Sequence, residues 1–138
     1  MKKYILYASL ITFLFAACKK EKEYKKFESP LWQEAANSYY TNMTAVFVLP
    51  TNIKTFQTDA DEIAAFIRDT CRGTAQIIDG KFFITVKGIA HEESEVVFKY
   101  YNAKNKYIYE SKEQWFFESD AVIGTFDNPI TLELNVIQ

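Results

Sequence analysis

A thiol, an imidazole and a scatter of carboxylates are the groups here from which covalent or acid–base chemistry could be made. Cys71 is a candidate nucleophile, and His91, the one histidine, is its candidate base. Such a pair needs both side chains within hydrogen-bond reach. His91-Glu92-Glu93-Ser94-Glu95 lacks the second histidine of a zinc-binding HExxH helix. Glu110, Glu113 and Glu118 could serve glycoside hydrolysis if two carboxyls faced a cleft about 5–10 Å apart, but they fall at strand and turn positions. There is no glycine-rich phosphate loop and no GxSxG elbow. The expectation is a protein that is not an enzyme, with no cofactor and no catalytic metal.

Binding chemistry has more to work with. Tyr101, Phe116 and one or both of Tyr107 and Tyr109 fall on neighbouring strands at positions that could face solvent. A flat ring offers an apolar face to a sugar while its polar edge stays wet, and a cluster of rings marks a protein contact equally well. Core packing is the competing reading for each ring. Asp59, Asp61, Glu62 and Asp127 are hard oxygen ligands near strand ends, of the type calcium takes. They lack EF-hand spacing, and acidic turn residues are common, so solvated turn positions are the expected reading and calcium the lesser one. Arg72 is expected to pair with Asp69 or Asp120.

The elements that position these groups follow a different kind of segment. Lys2 and Lys3 precede an uncharged apolar run from Tyr4 to Phe15, and Ala16 and Ala17 lead into Cys18. The run is shorter than the roughly 20 residues that span a bilayer, and small residues at its end mark a cleavage site. Leu14-Phe15-Ala16-Ala17-Cys18 resembles a bacterial lipobox, with Phe15 where that pattern usually has leucine. The resemblance implies a signal peptide over 1–17 and a diacylglycerol thioether on Cys18. It places the protein on the bacterial envelope, held by a lipid anchor.

 The membrane expected is the outer one, facing either the periplasm or the cell surface.

Lys19 to Lys26 (KKEKEYKK) is charged almost throughout and offers nothing to build a core from, so residues 18–28 read as a lipidated cysteine and a disordered tether. Fully extended, such a tether could lift a domain roughly 30 Å off the membrane. Its lysines would also be attracted to anionic phospholipid. Removing residues 1–17 moves the formal charge from −2 to about −4. A mildly acidic chain lacks the basic face that nucleic acid requires. About 110 residues remain, enough for one core and too few for two. With 49% apolar residues and 17% aromatics, residues 29–138 read as one packed domain. Once Cys18 is lipidated, Cys71 has no disulfide partner and is expected to be buried as a small hydrophobe.

Nearly all of that domain reads as strand. Thr41 to Leu49 is apolar and β-branched and stops at Pro50; Cys71 to Ile78 leads into Asp79-Gly80, a strong hairpin signal. Lys81 to Ile89 alternates, with Phe82, Ile84 and Val86 on one face. Glu95 to Tyr101 does the same with Val96, Phe98 and Tyr100. Further strands are expected over Lys106 to Glu110, Glu113 to Glu118 and Ile130 to Val136. Gly73, Gly80, Gly88 and Gly124 fit turns or strand bends. Strands at this spacing argue for a β-sandwich. Ser29 to Asn37 reads as a short helix, with Ser29 as cap and Pro30 in the first turn. Thr58 to Asp69 also has a helical pattern, through Ile63, Phe66 and Ile67.

Six pieces occur in a recognisable order: Asn42-Met43-Thr44-Ala45-Val46, Asp61-Glu62-Ile63-Ala64-Ala65-Phe66, Cys71-Arg72-Gly73-Thr74-Ala75, Phe82-Phe83-Ile84-Thr85-Val86, Phe98-Lys99-Tyr100-Tyr101 with Ile108-Tyr109, and Gly124-Thr125-Phe126-Asp127-Asn128-Pro129. Together, over about residues 40–134, they resemble an immunoglobulin-like β-sandwich module repeated in secreted and surface proteins of Gram-negative bacteria. The resemblance implies that residues 62–68 are a strand, one arm of a hairpin with the Cys71-Arg72-Gly73 piece, and that the domain is an accessory or adhesive module. The expected protein is a lipid-anchored, non-enzymatic module for adhesion or protein binding. The alternative is a carbohydrate-binding lipoprotein that uses its exposed aromatics.

Overall fold

In the computed structural model, residues 22–138 are described; the expected signal peptide, the lipidated Cys18 and residues 19–21 of the tether lie outside them. The all-β expectation holds. Ten strands form one curled mixed sheet: β1 (Thr41–Val48), β2 (Glu62–Ile67), β3 (Thr70–Ile78), β4 (Lys81–Gly88), β5 (Glu95–Asn102), β6 (Tyr107–Ser111), β7 (Trp115–Phe116), β8 (Val122–Ile123), β9 (Ile130–Thr131) and β10 (Leu134–Val136). A single helical turn, α1 (Thr51–Lys54), follows Pro50. Neighbours run β10-β6-β5-β2-β3-β4-β1-β8, with β7 on β5 and β9 on β1. Pairing is antiparallel except where β8 and β9 run parallel to β1.

Alternation decides which side of each strand faces inward. Phe82, Ile84 and Val86 on β4 and Val96, Phe98 and Tyr100 on β5 are fully buried, as their period-two spacing requires. The sheet curls so that its two halves meet: Phe47 on β1 packs edge-to-face on Phe98 at 4.8 Å, and Phe82 does so on Tyr100 at 6.0 Å. Each such side chain taken from water contributes about 2–3 kcal/mol. The curl is made by β3. Thr70–Thr74 pairs with β2, whereas Ala75–Ile78 pairs with β4. Gly73 sits just before the change of partner, where a Cβ would lie 2.1 Å from the Thr85 carbonyl oxygen. Asp79 and Gly80, both at positive φ, then turn β3 into β4 as a two-residue hairpin.

Residues 62–67 are strand β2, so the local helical pattern loses. Their place explains it: β2 is central between β3 and β5, and Ile63, Ala64, Ala65 and Ile67 are buried on both of its faces.

Three expectations fail. Ser29 to Asn37 forms no helix. Its polar groups turn to the sheet instead: Ser29 Oγ and Trp32 N–H donate to the Glu62 carboxylate, and Ala35 N–H donates to Cys71 O. Glu113 to Glu118 shrinks to the two-residue β7, because only Val96 and Glu95 offer it partners. Ile130 to Val136 is two strands, not one. β9 pairs with β1, β10 pairs with β6, and the buried Leu132 marks the crossing between the halves.

Candidate binding surfaces

The outer face of the β2–β3–β5–β6 half is covered by the chain's own leading segment. Residues 22–40 cross it without regular structure, as a strap. Phe27 N–H donates to Lys106 O at 2.8 Å, and Tyr101 Oη donates to Phe27 O. Trp32 packs edge-to-face on Phe66, and Tyr39 lies against the Arg72 guanidinium, 4.1 Å from its carbon. Within the stretch read as tether, Tyr24 packs on Tyr107 and Phe27 is bonded to the β5–β6 turn.

Beneath the strap, Cys71 is buried, and Sγ donates to Gly73 O at 3.6 Å. Burial pushes the thiol up from its ordinary value, the reverse of what a nucleophile needs. Arg72 pairs with Glu92, not with Asp69 or Asp120. The pairing is bidentate, at 2.7 and 3.0 Å, and Arg72 also donates to Lys87 O. Glu92 further accepts from Ile89 N–H. Burial would raise its pKa, but the bonds from Arg72 and Ile89 outweigh burial and hold the carboxyl below its usual range.

That ion pair fixes the β4–β5 loop, in which His91 and Glu93 adopt left-handed φ. The loop forms one wall of a cleft of about 740 Å³, with Phe116, Phe117, Glu118 and Ser119 on the other. Phe116 is 55% exposed at its mouth. Phe117 turns inward, with its ring closed on Gly88 so tightly that a Cβ there would come within 2.5 Å of it.

The four aromatics expected to share one platform do not meet. Tyr101 is buried, which corrects its solvent-facing assignment; it points under the strap. Tyr107 and Tyr109 lie together, half-buried, with rings 6.5 Å apart, and Tyr109 also packs on Tyr100 at 5.5 Å. Phe116 pairs with Glu95, at the opposite end of β5 from Asn102, the partner of Tyr107. Seven residues of strand put those ends about 23 Å apart.

The carboxylates weighed for calcium are mostly engaged. Asp61 is buried and accepts from Thr58 N–H and Oγ1, Tyr100 Oη, Asn102 Nδ2 and Ala103 N–H. Burial, chiefly, and Asp61 as acceptor push the Tyr100 phenol far up. Glu62 is held by the strap. Asp127 sits in the distant 124–128 loop, and no group of three possible metal ligands occurs among the described residues.

The outer face of the other half was not singled out in the sequence. On β1, β3, β4 and β8, the residues facing away from the core include Phe83, Ile78 and Val122. Phe83 stacks on Phe126 at 5.8 Å and 20°. Val122 is 65% exposed, Ile78 41% and Phe126 39%. The register sets Val46 beside Phe83 and Thr44 beside both Thr85 and Val122, so the face is mixed, with an aromatic centre next to a Val46 that is itself buried. The 124–128 loop lies over its Phe83–Val46 part, and Ile78 and Val122 stay exposed on either side. Comparison with known proteins returns no match to a family model, a curated protein or a solved structure.

Proposed function

We propose that the chain is a lipid-anchored, non-enzymatic module of the bacterial envelope, immunoglobulin-like in general form, that makes protein contacts through the open outer face of β1, β3, β4 and β8. The observation that carries this is the stacked Phe83–Phe126 pair, with Ile78 and Val122 exposed around it. Apolar side chains grouped on a sheet surface lose contact with water only when a partner covers them. Aromatic residues at the centre of such a patch are the usual anchors of protein interfaces. The two halves facing across one core support the sandwich reading, and the buried, raised Cys71 thiol supports the non-enzymatic one.

The test is capture of envelope proteins by the lipidated chain and by its Phe126→Ser and Val122→Lys variants. A partner held by the parent and lost from both variants supports protein contact. Equal capture by all three removes the open face from the account.

A second reading rests on the Phe116 cleft. An exposed ring beside Glu93, Glu118 and His91 has the elements of a sugar site: a stacking face and acceptors for hydroxyl groups. A glycan array probed with the parent and with Phe116→Ala separates the two readings. Sugar binding lost in that variant favours the cleft, and silence leaves the open face.

A further inference from the structure

The strap fixes which end of the domain lies next to the anchor. Its first described residues, Lys22 to Phe27, run along the β5–β6 turn. Tyr24 packs on Tyr107 at 5.6 Å, and Phe27 N–H donates to Lys106 O. Between Cys18 and Tyr24 lie residues 19–23, a length of chain that reaches at most about 17 Å. A domain held that closely presents this end to the bilayer.

The chemistry of the end fits an anionic lipid surface. Lys104 and Lys106 project from the turn, and Lys22, Lys25 and Lys26 join them from the strap. Lys104 Nζ lies 5.7 Å from the exposed Phe56 ring, which follows Lys54 at the end of α1, so an apolar side chain sits among the charges. Among the described residues, the exposed acids at this end are Glu23, Glu28 and Asp59, with Glu28 already paired to Lys106 at 3.2 Å. Asp79, at the margin, is offset by Lys81. Lysines therefore predominate here, although the mature chain is acidic overall. Within a Debye length of about 8–10 Å, the local charge is the one a headgroup feels.

We infer that the mature protein stands on the membrane with its β5–β6 turn down, Lys104 and Lys106 against anionic phospholipid headgroups, and the Phe116 cleft at the far end. The cleft lies opposite Glu95, about 23 Å along β5 from the turn. It therefore opens away from the bilayer, where a ligand outside the membrane can reach it. This orientation rests on the lipoprotein reading, since the acyl anchor supplies the restraint.

The test uses the lipidated full chain in nanodiscs of zwitterionic and anionic phospholipid with a trace of nickel-chelating headgroup. In a Cys71→Ala background, a nitroxide is placed at Thr55→Cys beside Phe56, or at Glu118→Cys beside the cleft. Strong relaxation by nickel at position 55 and weak relaxation at 118 is expected; equal relaxation, or the reverse, overturns the orientation. The mass of the mature N-terminus separates this result from the premise, because an unlipidated Cys18 sinks the lipoprotein reading alone. In that case, sedimentation of the unlipidated chain with phosphatidylglycerol vesicles tests the lysine end by itself. Partitioning weakened roughly 30-fold by Lys104→Gln with Lys106→Gln supports it, and no binding by the parent overturns it.

Discussion

The two outer faces of the curled sheet are built from the same alternating strands, yet one is covered by a nineteen-residue strap (22–40) and the other only in part, by the 124–128 loop. On the β2–β3–β5–β6 half, Glu62 and Tyr101 take hydrogen-bond partners from the strap, and Arg72, paired with Glu92, lies under its Tyr39 ring. Ser29, Trp32 and Phe27 supply those partners. On the β1–β3–β4–β8 half, Thr44, Thr85 and Gln76 need nothing beyond water, and the apolar Phe83 is shielded by Phe126 beside a buried Val46. The first surface is completed within the chain, and the second, with Ile78 and Val122 still exposed, is the one proposed for a partner.

Breaking the seam between the halves should have the largest effect. In Gly73→Ala the new methyl meets the Thr85 carbonyl, a backbone atom that cannot move alone. A loss of about 3 kcal/mol is expected in denaturant unfolding. A loss below about 0.5 kcal/mol would mean that β3 does not bend as tightly as described.

Next comes the clamp under the strap. Arg72→Met leaves the part-buried Glu92 carboxylate without its partner and should cost about 2 kcal/mol. The pH dependence has a definite sign. Glu92 has a lowered pKa in the folded state, so its contribution is present above the unfolded carboxylate range and is lost as pH falls through the folded value. Stability should decline between about pH 5 and pH 3, and Glu92→Gln should flatten its share of that decline. An unchanged slope would place the acid sensitivity elsewhere.

The strap itself is sharpened by a kinetic readout. Trp32→Ala removes the contact with Phe66 beside the Cys71 hairpin, so alkylation of Cys71 should quicken by about tenfold as local opening becomes easier. Phe126→Ser, on the open face, should leave the alkylation rate unchanged. The smallest effect on stability belongs to that same variant. Phe126 is a loop residue already part-exposed, and its loss should cost about 1 kcal/mol or less by thermal melting.

The strands were legible where alternation and turn chemistry agreed. Lys81 to Ile89 and Glu95 to Tyr101 carry both signals, and Asp79-Gly80 marks the turn that forms. Elsewhere the decisive partner is remote in sequence. Ser29 looks like a helix cap until Glu62, thirty-three residues on, takes its hydroxyl. Thr58 to Asp69 looks helical until β3 and β5 close on both sides of it. Tyr101 alternates correctly out of the core, but a strap covers that side, so facing away from the core does not mean facing water. Arg72 finds Glu92 because β4 carries the loop back beside β3, which charge spacing along the chain does not reveal. The open face was missed for a related reason. Phe83 and Phe126 lie forty-three residues apart, and only the path of the 124–128 loop stacks them.

The claim that the open face receives a protein is tested most directly by cross-linking in intact cells. A photoreactive amino acid at position 126, compared with one at the exposed Lys112, would report what lies within reach of each surface. The account expects a discrete adduct of one protein partner from position 126 and none from 112. Adducts of equal yield from both positions, or none from 126, would contradict it.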